Sequence, residues 1–244
     1  MQEGCGKVHC LRLLKSAFTG EEVALSKKLA LIHTSPSLSP LFQSLCAEWM
    51  PSVEVFHMVD ESLIRNTVQA GHLQKTTMRR VIGMVESARL GGADAVLVTC
   101  SSIGAAVDVA AGLFDFPVVR VDAAMAEEAV RTGSRVGVLA TLRTTLEPTS
   151  ELVRSKANGH EIKIVDRLCE GAFAAVMAGD GATHDTIVSA ELTKMMAEVD
   201  VVVLAQASMA RVLATMPAES LVVPVLSSPE LGVRRMADVM KGLA

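Results

Sequence analysis

The sequence predicts an α/β protein of two pseudo-symmetric lobes, each a four-stranded parallel sheet flanked by helices, with a site in the cleft between them. Two observations carry this expectation. Short continuous runs of Val, Leu, Ile and Ala, of the kind that strands buried on both faces require, alternate along the chain with amphipathic stretches of helical period. The same landmarks then recur 107 positions further on. Aromatic residues make up 3% of the chain and Tyr is absent, so the core formed by those runs is aliphatic.

In chain order, residues 1–27 carry no strand pattern and read as an extension outside the core. Cys5, His9 and Cys10 within it match no common zinc spacing. The first lobe, 28–125, takes strands at 29–32, 53–58, 95–98 and 118–121, with an amphipathic helix over 76–90 before the third. The second lobe, 126–244, takes strands at 136–140, 162–165, 201–205 and 221–225. Its helices are expected at 185–198 and 229–241, and one over 123–131 joins the lobes. Thr34 with Thr141, Cys100 with Ala207, and Pro117 with Pro224 all stand 107 residues apart, which points to an internal repeat.

Composition narrows the function. Half the residues are hydrophobic and 20% charged, which excludes a disordered chain, and no apolar run reaches the ~18 residues of a membrane span. With 27 acidic against 23 basic residues and no basic block, nucleic acid is not the expected partner. Five scattered cysteines and the lack of a secretory leader pattern suggest a reducing, cytoplasmic setting. The expected partner is a small molecule.

Ligands of such folds bind at the carboxyl ends of the strands, where helix N-termini and free amides collect. The polar residues there are His33, Thr34 and Ser35, then Thr99, Cys100, Ser101 and Ser102, then Thr141, Thr144 and Thr145, then Cys169 and Glu170, and finally Gln206 and Ser208. Hydroxyls and amides converging without Lys or Arg suit a carboxylate. No Walker motif or glycine fingerprint marks a nucleotide, and no metal set is apparent. Cys100, before Ser101, Ser102 and a helix start, has the setting that lowers a thiol pKa below about 8.5, although a free cysteine also packs as a small hydrophobe. Glu170 suits either an acid/base or a helix-start carboxylate, and His33 either proton transfer or a hydrogen bond to a loop. Thr141, Thr144 and Thr145 suit helix capping as well as ligand binding.

The segments VLVTCSSIG, GVLATLRTTLEP and VVVLAQASMARV, in this order, resemble the aspartate/glutamate/hydantoin racemase superfamily, which includes maleate isomerases and arylmalonate decarboxylases. The resemblance covers about residues 28–230. It implies a cofactor-independent enzyme, often a homo-oligomer, in which each lobe gives one cysteine to opposite faces of an acidic carbon. It implies that Cys100 is the first-lobe cysteine and that Thr141, Thr144 and Thr145 hold the substrate carboxylate, with Thr34, Ser35, Ser101, Ser102, Gln206 and Ser208 around it. Glu170 and His33 fall where glutamate racemases have acidic residues. At the 107-residue offset the second cysteine is replaced by Ala207, and Met209 stands where those enzymes have a histidine. A methyl group cannot move a proton, so ordinary two-thiol racemisation cannot run as written.

Three functions follow. The first is an isomerase acting at the α-carbon of an amino acid or related carboxylate, with Cys100 as one acid/base and Glu170, His33 or water replacing the second thiol. The second is a one-cysteine decarboxylase of an activated malonate-like acid. The third is a carboxylate-binding protein without catalysis.

Overall fold

A computed structural model describes residues 26–243; the expected extension, with Cys5, His9 and Cys10, lies almost wholly outside them. The first sheet contains β1 (Lys28–His33), β2 (Glu54–Val59), β3 (Ala95–Val98) and β4 (Val118–Arg120) in the order β2-β1-β3-β4. The second contains β5 (Arg135–Ala140), β6 (Lys163–Leu168), β7 (Val201–Leu204) and β8 (Val225–Ser227) in the order β6-β5-β7-β8. All pairings are parallel. Of the central strands, β3 and β7 are wholly apolar and buried on both faces, as their sequence runs require, and β1 and β5 are buried beyond their first residue. One strand is displaced: 221–225 was expected, but only Val225 of that run pairs, and the residues before Pro224 form a loop packed on the sheet edge.

The helices are α1 (Ser39–Trp49), α2 (Glu61–Ala70), α3 (Lys75–Leu90), α4 (Gly104–Ala111), α5 (Ala123–Thr132), α6 (Arg143–Lys156), α7 (Ala172–Met177), α8 (Gly181–Met196), α9 (Ala210–Leu213) and α10 (Ser228–Gly242). Helices α3 and α4 cover one face of the first sheet through Val81, Val85, Ala106 and Val107. Helix α8 covers the matching face of the second through Val188, Leu192 and Met195.

The opposite faces are covered by exchange. Helix α5 follows the last strand of the first sheet, yet its Met125, Ala126 and Ala129 pack on Val136, Val138 and Val203 of the second. Helix α10 follows the last strand of the second sheet, yet Val233, Met236 and Met240 pack on Leu29, Leu31 and Leu97 of the first. The boundary expected at 125/126 therefore falls inside a helix that already belongs, by its contacts, to the second sheet. Each exchanged helix leaves few exposed apolar groups, and full burial of one such side chain is worth ~1.5–3 kcal/mol.

The fit of α10 is close. A Cβ on Gly232 would lie 2.6 Å from the Val121 carbonyl oxygen and 2.7 Å from Val121 Cγ2. Replacing Gly232→Ala should lift α10 from the first sheet and lower stability by ~1–3 kcal/mol, read as a fall in the urea midpoint. An unchanged midpoint would mean that the exchanged helix is not seated as described.

Candidate active site

The two rows of strand ends face a cavity of about 720 Å³ between the lobes. Its floor is built from Thr34, Thr99, Cys100, Ser101 and Ser102 of the first lobe and Thr145, Ala205, Gln206, Ala207 and Ser208 of the second. Ser102 and Thr145 join across the floor by a buried hydroxyl–hydroxyl bond of 2.7 Å. The walls are helical: α2 presents Glu61, Ile64, Arg65, Val68 and Gln69, and α7 presents Phe173, Val176 and Met177.

Cys100 ends β3 in an extended conformation, and the chain then turns through Ser101–Ile103 into α4. The turn is held from behind. Arg120 lies against Gly104, where a Cβ would collide with its guanidinium, and is fixed by a two-bond pairing to Asp122 (2.9 and 3.0 Å) and by Asp108 at 2.7 Å. The hydroxyls of Thr34 and Ser102 and the amides of Ser102 and Ile103 surround the sulfur and favour its charged form. The expectation of a lowered thiol pKa is nevertheless corrected: burial pushes the Cys100 thiol up and outweighs those bonds, which only moderate the rise. The resting group is a neutral thiol, partly exposed to the cavity.

The internal repeat has a second register. The β1–β3 pairing puts Leu29 opposite Ala95, 66 positions on, whereas β5–β7 puts Val136 opposite Val201, 65 on. Thr99 N–H donates to the Ile32 carbonyl as Ala205 N–H donates to that of Leu139. Cys100 precedes the turn Ser101–Ile103 as Gln206 precedes Ala207–Met209. The partner of Cys100 by register is therefore Gln206, and the assignment of Ala207 to that place is corrected. Strands β1 and β5, and β4 and β8, do keep the 107-residue relation, Thr34 matching Thr141 and Pro117 matching Pro224, since β8 follows β7 one residue later than β4 follows β3. Gln206 even repeats the contact: Cys100 bonds Thr34, and the Gln206 carboxamide clasps Thr141, accepting from its N–H at 2.6 Å and donating to its hydroxyl at 2.7 Å.

Of the residues expected to bind substrate, Thr34, Ser35, Ser101, Ser102, Thr145, Gln206 and Ser208 line the cavity. Thr141 and Thr144 do not: Thr141 is spent on Gln206, and the buried Thr144 hydroxyl has no partner among the described residues. Nor do the threonines cap α6, whose N-cap is Leu142. Glu170 is exposed and outside the cavity, because the left-handed turn at Gly171 carries the chain from β6 into α7 with Glu170 facing out. His33 is fully buried behind the floor, its Nδ1 2.8 Å from the Thr99 hydroxyl and its Nε2 2.8 Å from His57 Nδ1. Cys169 is buried in the core, its thiol pushed up to about 12 by burial and then by Glu191. Among the lining side chains only Cys100, Glu61 and Arg65 carry an ionisable group. The walls are not among the residues assigned from the sequence, although Glu61, Ile64, Arg65, Val68 and Gln69 follow the i, i+3, i+4, i+7, i+8 spacing of one helix face.

The model of the Asp/Glu/hydantoin racemase family matches residues 29–236. The chain belongs to that family. Its fold is shared with an allantoin racemase from Klebsiella pneumoniae (TM-score 0.67, 19% identity, covering 90% of this chain and 90% of that one). A glutamate racemase from Bacillus anthracis is similar at TM-score 0.66 and 16% identity, over 88% of this chain and 82% of that one. The Picrophilus torridus aspartate racemase matches at 0.63 and 14%, over 87% and 95%. No curated protein matches the sequence. No helix among the described residues is long and apolar enough to cross a membrane.

Two measurements follow. Iodoacetamide should modify Cys100 ahead of Cys46 and Cys169, and its rate should keep climbing beyond pH ~8.5, the midpoint of an ordinary thiol; a plateau near neutrality would contradict the raised pKa. His33 behaves as a buried neutral imidazole, its pKa lowered to about 4 by burial and by His57. An unfolded chain takes up that proton near pH ~6.5, so between there and about 4 the unfolded state binds more protons and stability is lost as the pH is lowered. The urea midpoint of the intact protein should drop more steeply across this window than that of His33→Gln.

Proposed function

We propose that this chain is a cofactor-independent racemase-type isomerase acting at the α-carbon of a small carboxylate, with Cys100 as the acid/base. The observation that supports it is the seating of a thiol in the inter-lobe cavity, among two hydroxyls and two backbone amides, in a member of a racemase family. The substrate carboxylate would take hydrogen bonds from the hydroxyls of Ser101 and Ser208, which line the cavity without being engaged by the thiol, and this draws electron density from the α-carbon. Cys100 first gives its own proton to cavity water, and the thiolate so formed then removes the α-proton and becomes a thiol again. Burial makes that thiolate a stronger base than an ordinary one, and the Thr34 and amide bonds supply charge stabilisation as it forms.

The opposite face carries the Gln206 carboxamide, which orients but does not exchange a proton. Glu170 is out of reach, and His33 communicates with the cavity only through Thr99. A water held near Gln206 and Ser208 is left to reprotonate that face. A positioned acid or base contributes ~100- to 10,000-fold, so the two faces should be unequal by a large factor.

A second reading, decarboxylation of a malonate-like acid, is favoured by the single thiol and by the apolar walls. Loss of carbon dioxide generates the carbanion, and one proton donor then suffices.

Incubation in deuterated water with a panel of 2-substituted mono- and dicarboxylates, alongside a carbon dioxide assay, separates these. One enantiomer should exchange its α-proton with retention, net racemisation should lag, and Cys100→Ser should lose ~100-fold or more of the exchange. Gln206→Cys should narrow the gap between exchange and racemisation. Gas release would favour the lyase. Full exchange in Cys100→Ser, or neither exchange nor gas on any acid, would reject the proposed chemistry.

A further inference from the structure

The cavity holds more apolar surface than an acid/base site requires. On α2, Leu63 and Thr67 face the core, so the helix is already anchored without Ile64 and Val68, which face the cavity instead. On α7, Ala172 is the buried anchor, while Phe173 and Val176 point into the cavity and Met177, 71% exposed, stands at its rim. These two helices follow the corresponding edge strands β2 and β6, so each lobe contributes one apolar wall. A volume of about 720 Å³ belongs to the range that accepts a drug-sized ligand. Arg65 is the one cation in the lining, exposed and accompanied one turn back by Glu61.

We infer that the site takes a carboxylate whose substituent is a sizeable apolar group, seated between Ile64 and Val68 on one side and Phe173 and Val176 on the other, and that it disfavours a second carboxylate in that place. The inference rests on reading this cavity as the substrate site. The floor and walls divide the labour: hydroxyls and amides meet the charged end, and the helical walls remove the apolar end from water. A side chain ending in a second carboxylate would be stripped of water against aliphatic and aromatic groups without a buried cation to meet it.

The test is binding, which needs no turnover. Calorimetric titration of the intact protein and of Cys100→Ser with pentanoate, hexanoate, heptanoate and octanoate should show affinity rising about fourfold per added methylene, the ratio that ~0.8 kcal/mol per buried CH₂ gives. Glutarate should bind more weakly than pentanoate. Val68→Ser should flatten the series, which ties the binding to this wall. A flat series, tighter binding of glutarate, no binding of any member, or a series untouched by Val68→Ser would each overturn the inference. The predicted series together with no exchange and no carbon dioxide on any acid would leave it standing and reject the isomerase chemistry. Exchange confined to aspartate or glutamate would do the reverse.

Discussion

The exchange of α5 and α10 is the constraint on which the rest of the molecule depends. Each sheet ends in a strand whose following helix crosses to the other lobe and completes a core that its own lobe leaves open. Neither lobe can therefore swing far from the other without exposing the apolar faces of Leu29, Leu31 and Leu97 or of Val136, Val138 and Val203. Because parallel strands point their carboxyl ends the same way within each sheet, fixing the lobes face to face fixes two rows of strand ends across one cavity. The Ser102–Thr145 bond on its floor depends on that alignment to a fraction of an ångström.

Within this frame, chemistry is placed by backbone rather than by side-chain choice. Cys100 and Gln206 occupy the same point of the same turn in the two lobes, each bonded to the threonine that ends the neighbouring strand. The lobes have diverged in the residue, not in the geometry. One side can take and return a proton; the other offers a carboxamide whose two ends are already engaged by Thr141. On the proposed chemistry this arrangement gives a strong face and a weak face, and the reaction either tolerates that inequality or, as in decarboxylation, needs only one of them.

The parts of the site legible in the sequence were those carried by strand ends. Residues such as Thr34, Ser101, Ser102, Gln206 and Ser208 follow apolar runs directly, so locating the strand locates them. Errors arose where a local cue had to stand for a distance in space. Ala207 was matched to Cys100 because two other landmarks shared the 107-residue offset, but the loops on either side of β7 differ by one residue in compensating directions, and only the ladder of hydrogen bonds reveals it. Glu170 was placed by its closeness to β6, yet one left-handed glycine turns it outward. Cys100 was expected to be acidified by its turn, whereas desolvation, which depends on everything packed around it, is the larger effect.

The alternation of buried apolar runs with amphipathic helices determined the α/β class, and the repeat determined that there are two sheets, because hydrophobic period is a property of the chain itself. The motif residues around Cys100 were likewise readable, since turn chemistry is local. The helix exchange, the pairing of Cys100 with Gln206, the burial of His33 behind Thr99 and the apolar walls of α2 and α7 were decided by tertiary structure alone. Each is a relation between segments far apart in the chain, set by which surfaces remain uncovered once the sheets have formed, and no local pattern encodes what lies on the other side of a cavity.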